Sequence, residues 1–291
     1  MDERSKRAQV AEQTLEILSH GRYSLPDGTV VSIAEALKQA VEQSIHYTPE
    51  SFTDVFHRRD RDVGDRRTSA GTEFRMINAT TLAAARELAT PPSSAPIVCL
   101  NFASAKNPGG GFRGGSQAQE ESLARASGLY SCLERMHGYY RANRTAKSCL
   151  YTDNMVYSPG VPVFRDDDDR LLPRPYEVAI ITAPAVNAGA VRRNEYRNVA
   201  LIEPTMLGRI EKVLSLAVIH GHRRLVLGAW GCGVFENDPA KVAAWFHTHL
   251  CCNATFKHAF DTVVFAVRSR TEDKSILRAF VTMFRDAGAC G

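Results

Sequence analysis

No run of about eighteen apolar residues occurs in this chain, which excludes a membrane-spanning helix. The first fourteen residues, MDERSKRAQVAEQT, lack an apolar centre, so no secretory signal is expected there. The seven cysteines include no Cys-x-x-Cys pair and are odd in number. A disulfide framework is therefore not expected, and reduced thiols in a cytosolic protein fit the pattern better. Internal repeats are missing, and the single low-complexity tract is the acidic run at residues 166–169. The glycine-rich stretch at 109–115 lacks the Lys-Ser/Thr of a nucleoside-triphosphate loop and the spacing of a dinucleotide fingerprint. An excess of one sign of charge is small too. A net +4 over 291 residues does not by itself imply nucleic acid, yet it suits an anionic ligand.

What is present is an ordinary globular composition, 44% hydrophobic and 23% charged, long enough to bury a sizeable core. Residues 4–20 read as an amphipathic helix with Val10, Leu15, Ile17 and Leu18 as its stripe. A hairpin is expected around Asp27-Gly28. Ser32 and Glu35 predict a capping box for a helix running to about His46. Residues 48–72 are charged and poorly periodic and read as a connection. From Thr72 the pattern becomes α/β. Strands are expected at 74–78, 96–102, 177–183, 224–229 and 262–267, with short extended pieces at 151–164. Helices are expected at 79–89, 120–140, 203–220 and 272–287, with a break at 91–94. Asp238 caps one more helix, whose first position suits Pro239. Apolar strands alternating with helices imply a mixed or mostly parallel sheet covered on both faces.

The chemistry concentrates in one stretch. Gly109, Gly110 and Gly111 follow an expected strand, and Gln119, Glu120 and Glu121 open the next helix. A loop without side chains at such a junction lets an anion approach the backbone. Two carboxylates just beyond it suggest acid–base chemistry on that ligand. Neighbours on a helix point about 100° apart, so one should transfer the proton while the other binds or orients. The plainer reading is that both favour the positive helix end. A second glycine loop, Gly231, Cys232, Gly233, Val234 and Phe235, follows another strand. Both loops would lie at one sheet edge, where ligands of such sheets bind, and together they suit a diphosphate flanked by sugars. Asn107 offers an amide to ribose hydroxyls, or simply forms a turn before Pro108. Phe235 is a ligand contact or a core anchor. Gln119 orients loop or ligand. Residues 78–81 mark a place where a polar group could meet adenine.

These residues carry a resemblance. Asn101-Phe102-Ala103, Asn107-Pro108, the glycine triplet, Gln119-Glu120-Glu121, Tyr151-Thr152-Asp153-Asn154, Ser158-Pro159, Val163-Phe164-Arg165-Asp166 and the run from Gly228 to Phe235 are similar to the signature of microbial-type poly(ADP-ribose) glycohydrolases. The resemblance covers most of the chain from about residue 10. It implies an α/β macrodomain-like three-layer α/β/α sandwich with a mixed sheet. The charged connection and the change of pattern at Thr72 mark the boundary between an N-terminal helical accessory segment at 1–71 and a catalytic domain at 72–291. The resemblance matches Glu121 to the catalytic acid/base, Glu120 to a ribose-holding partner, Asn107 to the distal ribose and Phe235 to a ribose contact. The expected partners are poly(ADP-ribose), ADP-ribosylated proteins and the ADP-ribose product, with no nucleic acid, membrane, cofactor or metal. Removal of single ADP-ribose units from proteins and non-catalytic ADP-ribose reading are the alternatives, and a reader has no need of Glu121. A nucleotide hydrolase would require a metal–carboxylate cluster. The group around His247, His249, Cys251 and Cys252 is not spaced like a zinc finger. The run at 166–169 lacks the Gly and Asn of a calcium loop and reads as solvated. The accessory segment is expected to influence which polymer ends are accepted.

Overall fold

A computed structural model describes residues 2–64, 71–89, 96–269 and 274–285. The break expected at 91–94, part of the charged stretch (65–70), the expected ends of the last helix at 272 and 287, and Cys290 lie outside the described residues. In chain order, α1 (Glu3–His20) precedes a hairpin of β1 (Arg22–Ser24) and β2 (Val30–Ser32), then α2 (Ala34–Glu42), β3 (Ile45–Tyr47) and α3 (Phe52–Gly64). Next come β4 (Glu73–Ile77), α4 (Thr81–Leu88), β5 (Ile97–Phe102), α5 (Gln119–Ala126), α6 (Leu129–Glu134) and α7 (His137–Thr145). The chain continues through β6 (Met155–Arg165), β7 (Leu171–Ala183), α8 (Ala188–Asn194), α9 (Ile202–Ile219), β8 (Arg224–Leu227), α10 (Pro239–His247), β9 (Thr262–Ala266) and α11 (Ser275–Phe284).

Seven strands form one mixed sheet in the order β3-β6-β7-β5-β8-β9-β4. The pairs from β7 to β4 are parallel, and β3–β6 and β6–β7 are antiparallel. Alternation along the strands sorts their side chains to two faces. Val98, Leu100, Ile181, Leu225, Leu227, Val263 and Phe265 pack with α3, α9, α10 and α11. Ile97, Cys99, Ile180, Val226 and Val264 pack with α4 to α7. This is the expected three-layer sandwich, with near-continuous apolar strands because both faces are covered.

Four local expectations change. The helix expected at 120–140 is three helices, because Ser127 turns extended (φ −146, ψ 175) and bridges Val163, while the Gly128 N–H donates to the Pro162 carbonyl at 2.9 Å. The helix after Ser32 stops at Glu42; Ser32 Oγ accepts from the Ala34 N–H at 3.4 Å, while Glu35 accepts from the Gln39 amide at 2.7 Å instead of completing a capping box. Residues 45–47 instead form an edge strand on β6. The charged connection contains α3, whose buried residues Phe52, Val55, Arg59 and Val63 form a helical stripe against α9 that the surrounding charges obscured. The pieces expected at 151–164 are one strand, β6, with a register shift between Ser158 and Val161 that absorbs Pro159 and Gly160.

Other local expectations hold. Gly28 takes φ 86 in the β1–β2 hairpin. The Asp238 carboxylate accepts from the Ala240 N–H at 2.8 Å, with Pro239 at the first helical position of α10. The carboxyl ends of β4, β5, β7, β8 and β9 share one rim, and the site lies there.

Candidate active site

Both glycine loops, the start of α5 and the segments after β4, β7 and β9 enclose a cavity of about 690 Å³. Its lining includes Asn107, Gly110, Gly111, Gln119, Glu120, Glu121, Gly231, Cys232, Gly233, Val234 and Phe235. Of the sequence candidates only Gly109 is not in the lining. It is buried beneath the loop, where an added Cβ would press on the Phe112 ring and Ala124.

The two carboxylates occupy unequal environments. Glu120 is 3% exposed. Its Oε2 accepts from the Ser104 N–H at 2.7 Å and its Oε1 from the Asn101 amide at 3.3 Å. Burial pushes its carboxyl up to about 8, against the pull of the Ser104 and Asn101 hydrogen bonds, and the Glu121 charge adds to the rise. Glu121 is half-buried on the cavity wall, and its Oε1 accepts from the Gly111 N–H at 3.0 Å. Yet the pair converges. Gly110 takes φ +59, and a Cβ there would collide with the Glu121 carboxylate and lie 3.2 Å from Glu120 Oε2. Glycine is required at that point both for its backbone angle and for the space the two acids fill.

Gln119 orients the loop. Its amide donates to Leu100 O at 2.8 Å and Thr81 Oγ1 at 3.0 Å, and its carbonyl accepts from the Phe102 N–H at 2.8 Å. That stitches β5, α4 and α5 together at the rim. The Asn107 side chain is exposed and forms no hydrogen bond with the described residues, so its amide is free for a ligand, while the backbone carbonyl of Asn107 accepts from the Gly110 N–H at 3.0 Å. In the second loop, Asn237 donates to Gly231 O at 3.1 Å and Val186 O at 2.8 Å, anchoring the base. Phe235 is half-buried, lines the cavity and meets the Tyr151 ring at 5.9 Å. It is both a wall of the site and a packing contact.

Sequence reasoning missed several contributors. The acidic run is not simply a solvated loop: Asp166, Asp167 and Asp169 line the cavity, and Thr80 Oγ1 donates to Asp167 at 2.8 Å across its mouth. The signal was weak, because nothing local says where such a loop folds. Asn101 was visible as the one polar residue inside apolar β5. The motif residues 151–154 hold the scaffold. Asp153 pairs with Arg209 at 2.9 Å and Lys212 at 3.0 Å, and Thr152 donates to Asn143 at 2.9 Å.

The N-terminal helix braces the first loop from behind. Arg4 Nε donates to Gly114 O at 3.0 Å and Arg7 Nε to Gly115 O at 2.8 Å. Thr14 Oγ1 donates to Arg125 O at 2.6 Å, and Arg125 in turn holds Ser116 O at 2.8 Å. Among the described residues, no three His, Cys, Asp or Glu side chains converge into a cation-holding group. His247 Nδ1 faces Cys252 Sγ at 3.8 Å, while His249 Nε2 faces the Leu207 carbonyl at 3.0 Å instead.

Residues 11–166 match the family model described as microbial-type PARG, catalytic domain. The poly(ADP-ribose) glycohydrolase (PARG) structure from Thermomonospora curvata is 46% identical, covers 96% of this chain and 100% of its own, and superposes with a TM-score of 0.90. The same enzyme bound to the inhibitor ADP-HPD is 45% identical over the same coverage, with a TM-score of 0.87. Deinococcus radiodurans PARG in complex with ADP-ribose is 44% identical, covering 86% of this chain and 97% of its own, at 0.79. No curated protein matches. The chain belongs to the microbial-type PARG catalytic-domain family.

Proposed function

We infer that this protein is a glycosidase that hydrolyses ribose–ribose O-glycosidic bonds of poly(ADP-ribose) and releases ADP-ribose. The observation that carries the reading is the convergence of Glu120 and Glu121 on Gly110, inside a cavity walled by two glycine loops. Those loops offer backbone N–H groups to a diphosphate. Cleavage passes through an oxocarbenium-like state, so the departing oxygen needs a proton and the attacking water must lose one.

Glu121 serves as acid and then as base. It lies on the cavity wall, within reach of a bond held there. Its proton goes to the leaving ribose oxygen, and it recovers one from the water that attacks the ribose carbon. One carboxyl therefore does both jobs. Glu120, with its proton retained near neutral pH, holds and orients ribose hydroxyls instead. Asn107 binds a ribose on the other side of the bond, and Phe235 sets the reacting ribose against Glu121.

Residues 72–291 carry the chemistry, which the lining supports by running from Ala79 to Ile276. The segment at 1–71 acts as an accessory from behind the loop. Any influence it has on polymer ends passes through that brace. ADP-ribosylated proteins are the partners, and the cytoplasm is the compartment, in keeping with six free cysteines among the described residues. Incubation with purified polymer and separation of the products tests the reading. Release of ADP-ribose is expected, and polymer left intact would overturn it.

A further inference from the structure

We propose that a cation-lined hollow beside the active site holds the diphosphate of the polymer unit on the far side of the scissile bond. The proposal rests on the poly(ADP-ribose) reading and extends it to a second subsite. The hollow measures about 390 Å³ and is lined by Pro108, His137, Tyr140, Arg141, Arg144 and Thr145. Five of these come from α7 at positions that recur every three or four residues, so one helix face forms its wall.

The sixth, Pro108, ties the hollow to the catalytic cavity. It follows Asn107, whose side chain lines that cavity, so two sides of a single loop serve the two spaces. Arg144 fixes the arrangement, since its Nε donates to the Lys106 carbonyl at 2.8 Å and its Nη2 donates to the same oxygen. Its guanidinium lies 5.9 Å from the centre of the buried Tyr140 ring, which backs the wall.

One further cation and one imidazole remain uncommitted. The Arg141 and His137 side chains are exposed and have no hydrogen-bond or ion-pair partner among the described residues. Arginine pairs with phosphate through two parallel N–H donors, and a diphosphate is the recurring anion of this polymer. No acidic residue lines the hollow. Three aspartates line the catalytic cavity where Thr80 meets Asp167. Asp166 there is paired with Arg170 at 2.9 Å, whereas the arginines beside Asn107 meet no acid in their hollow. A polyanion continuing beyond the bond is drawn to that unpaired side.

The test compares Arg141→Glu, and Arg141→Glu combined with His137→Glu, with wild type on long polymer. The milder Arg141→Ala and the charge-retaining Arg141→Lys serve as controls, and melting temperatures verify folding. KM should rise about tenfold in the double variant, with kcat within a factor of about two and a shallower dependence of KM on salt. Arg141→Lys should recover most of the loss. Affinity for free ADP-ribose, which has no far-side unit, should stay at the wild-type value by calorimetry. An active enzyme whose KM and salt dependence ignore these charges would overturn the subsite alone. A wild-type protein that leaves polymer intact would remove the functional reading, and the subsite with it.

Discussion

The two glycine loops share a rim and a cavity, but they are built differently. The first is held from several directions. Arg4 and Arg7 grip its far end, Ser104 and Gln119 pin its base, and Gly111 binds Glu121 itself. The second is anchored at its base by Asn237 and at its end by α8, where the Gly189 N–H donates to Phe235 O at 3.0 Å and Arg192 to Glu236 O at 2.6 Å. Its tip is open: Val234 is 83% exposed, and an added Cβ on Gly233 would meet nothing. Under the proposed function, the loop next to the acids is the rigid one, and the ligand-holding loop with its open tip is the one that can yield. Proton transfer tolerates little misplacement, whereas a clamp must open to release product.

The largest effect should come from the rigid side. Glu121→Gln keeps size and hydrogen bonding but removes the transferable proton, so turnover should fall a hundredfold or more with ADP-ribose affinity nearly intact. Near-normal turnover would show that proton transfer resides elsewhere.

Glu120→Gln should expose a cost carried only by the first loop. The folded carboxyl is raised by burial to about 8, from an ordinary value of 4.5. Between those values the folded state binds more protons than the unfolded chain, so stability falls as pH rises through that window. Below about 4.5 both states are protonated and there is no penalty. Melting temperatures from pH 4 to 9 should therefore show the variant gaining on wild type with rising pH, by a few kcal/mol at the top. Parallel curves would mean that the buried acid costs nothing.

Phe235→Ala probes the yielding loop. It should slow turnover about tenfold while weakening ADP-ribose binding less, because the ring positions the reacting ribose. A large drop in melting temperature with normal turnover in the folded fraction would make Phe235 a packing residue only.

Arg7→Ala should have the smallest effect, a several-fold loss in kcat at nearly constant KM, with partial rescue by Arg7→Lys. The substitution removes one of the two guanidinium braces on the first loop. Unchanged kcat would show that the loop is rigid without α1, and the contrast between the loops would then lie in the glycines alone.

Features set by neighbouring residues were legible in the sequence. Strand, glycine triplet and Gln-Glu-Glu lie within about twenty-five residues, and the second loop and its Asp238 cap are equally local. Features set by distant partners were not. The break after Ala126 depends on Pro162 and Val163. β3 is three residues long and exists because β6 offers it an edge. The acidic run looked solvated because its partner, Thr80, lies 87 positions away. Helical spacing also hid the meeting of Glu120 and Glu121, since it fixes only where side chains start. Ser104, Asn101 and Gly111 decide where these two end.

The pairing of β4 with β9 joins residues 73–77 to residues 262–266. On a ribosome, β4 emerges early and waits nearly two hundred residues for its neighbour, while Thr80 and Thr81 beyond it have no rim to complete. Loop closure of that length is slow and is rewarded only at the end. A growing chain can thus contain every acid and both glycine loops and still have no closed cavity. The cavity is complete only when β9 and α11, the last elements in chain order among the described residues, have joined it.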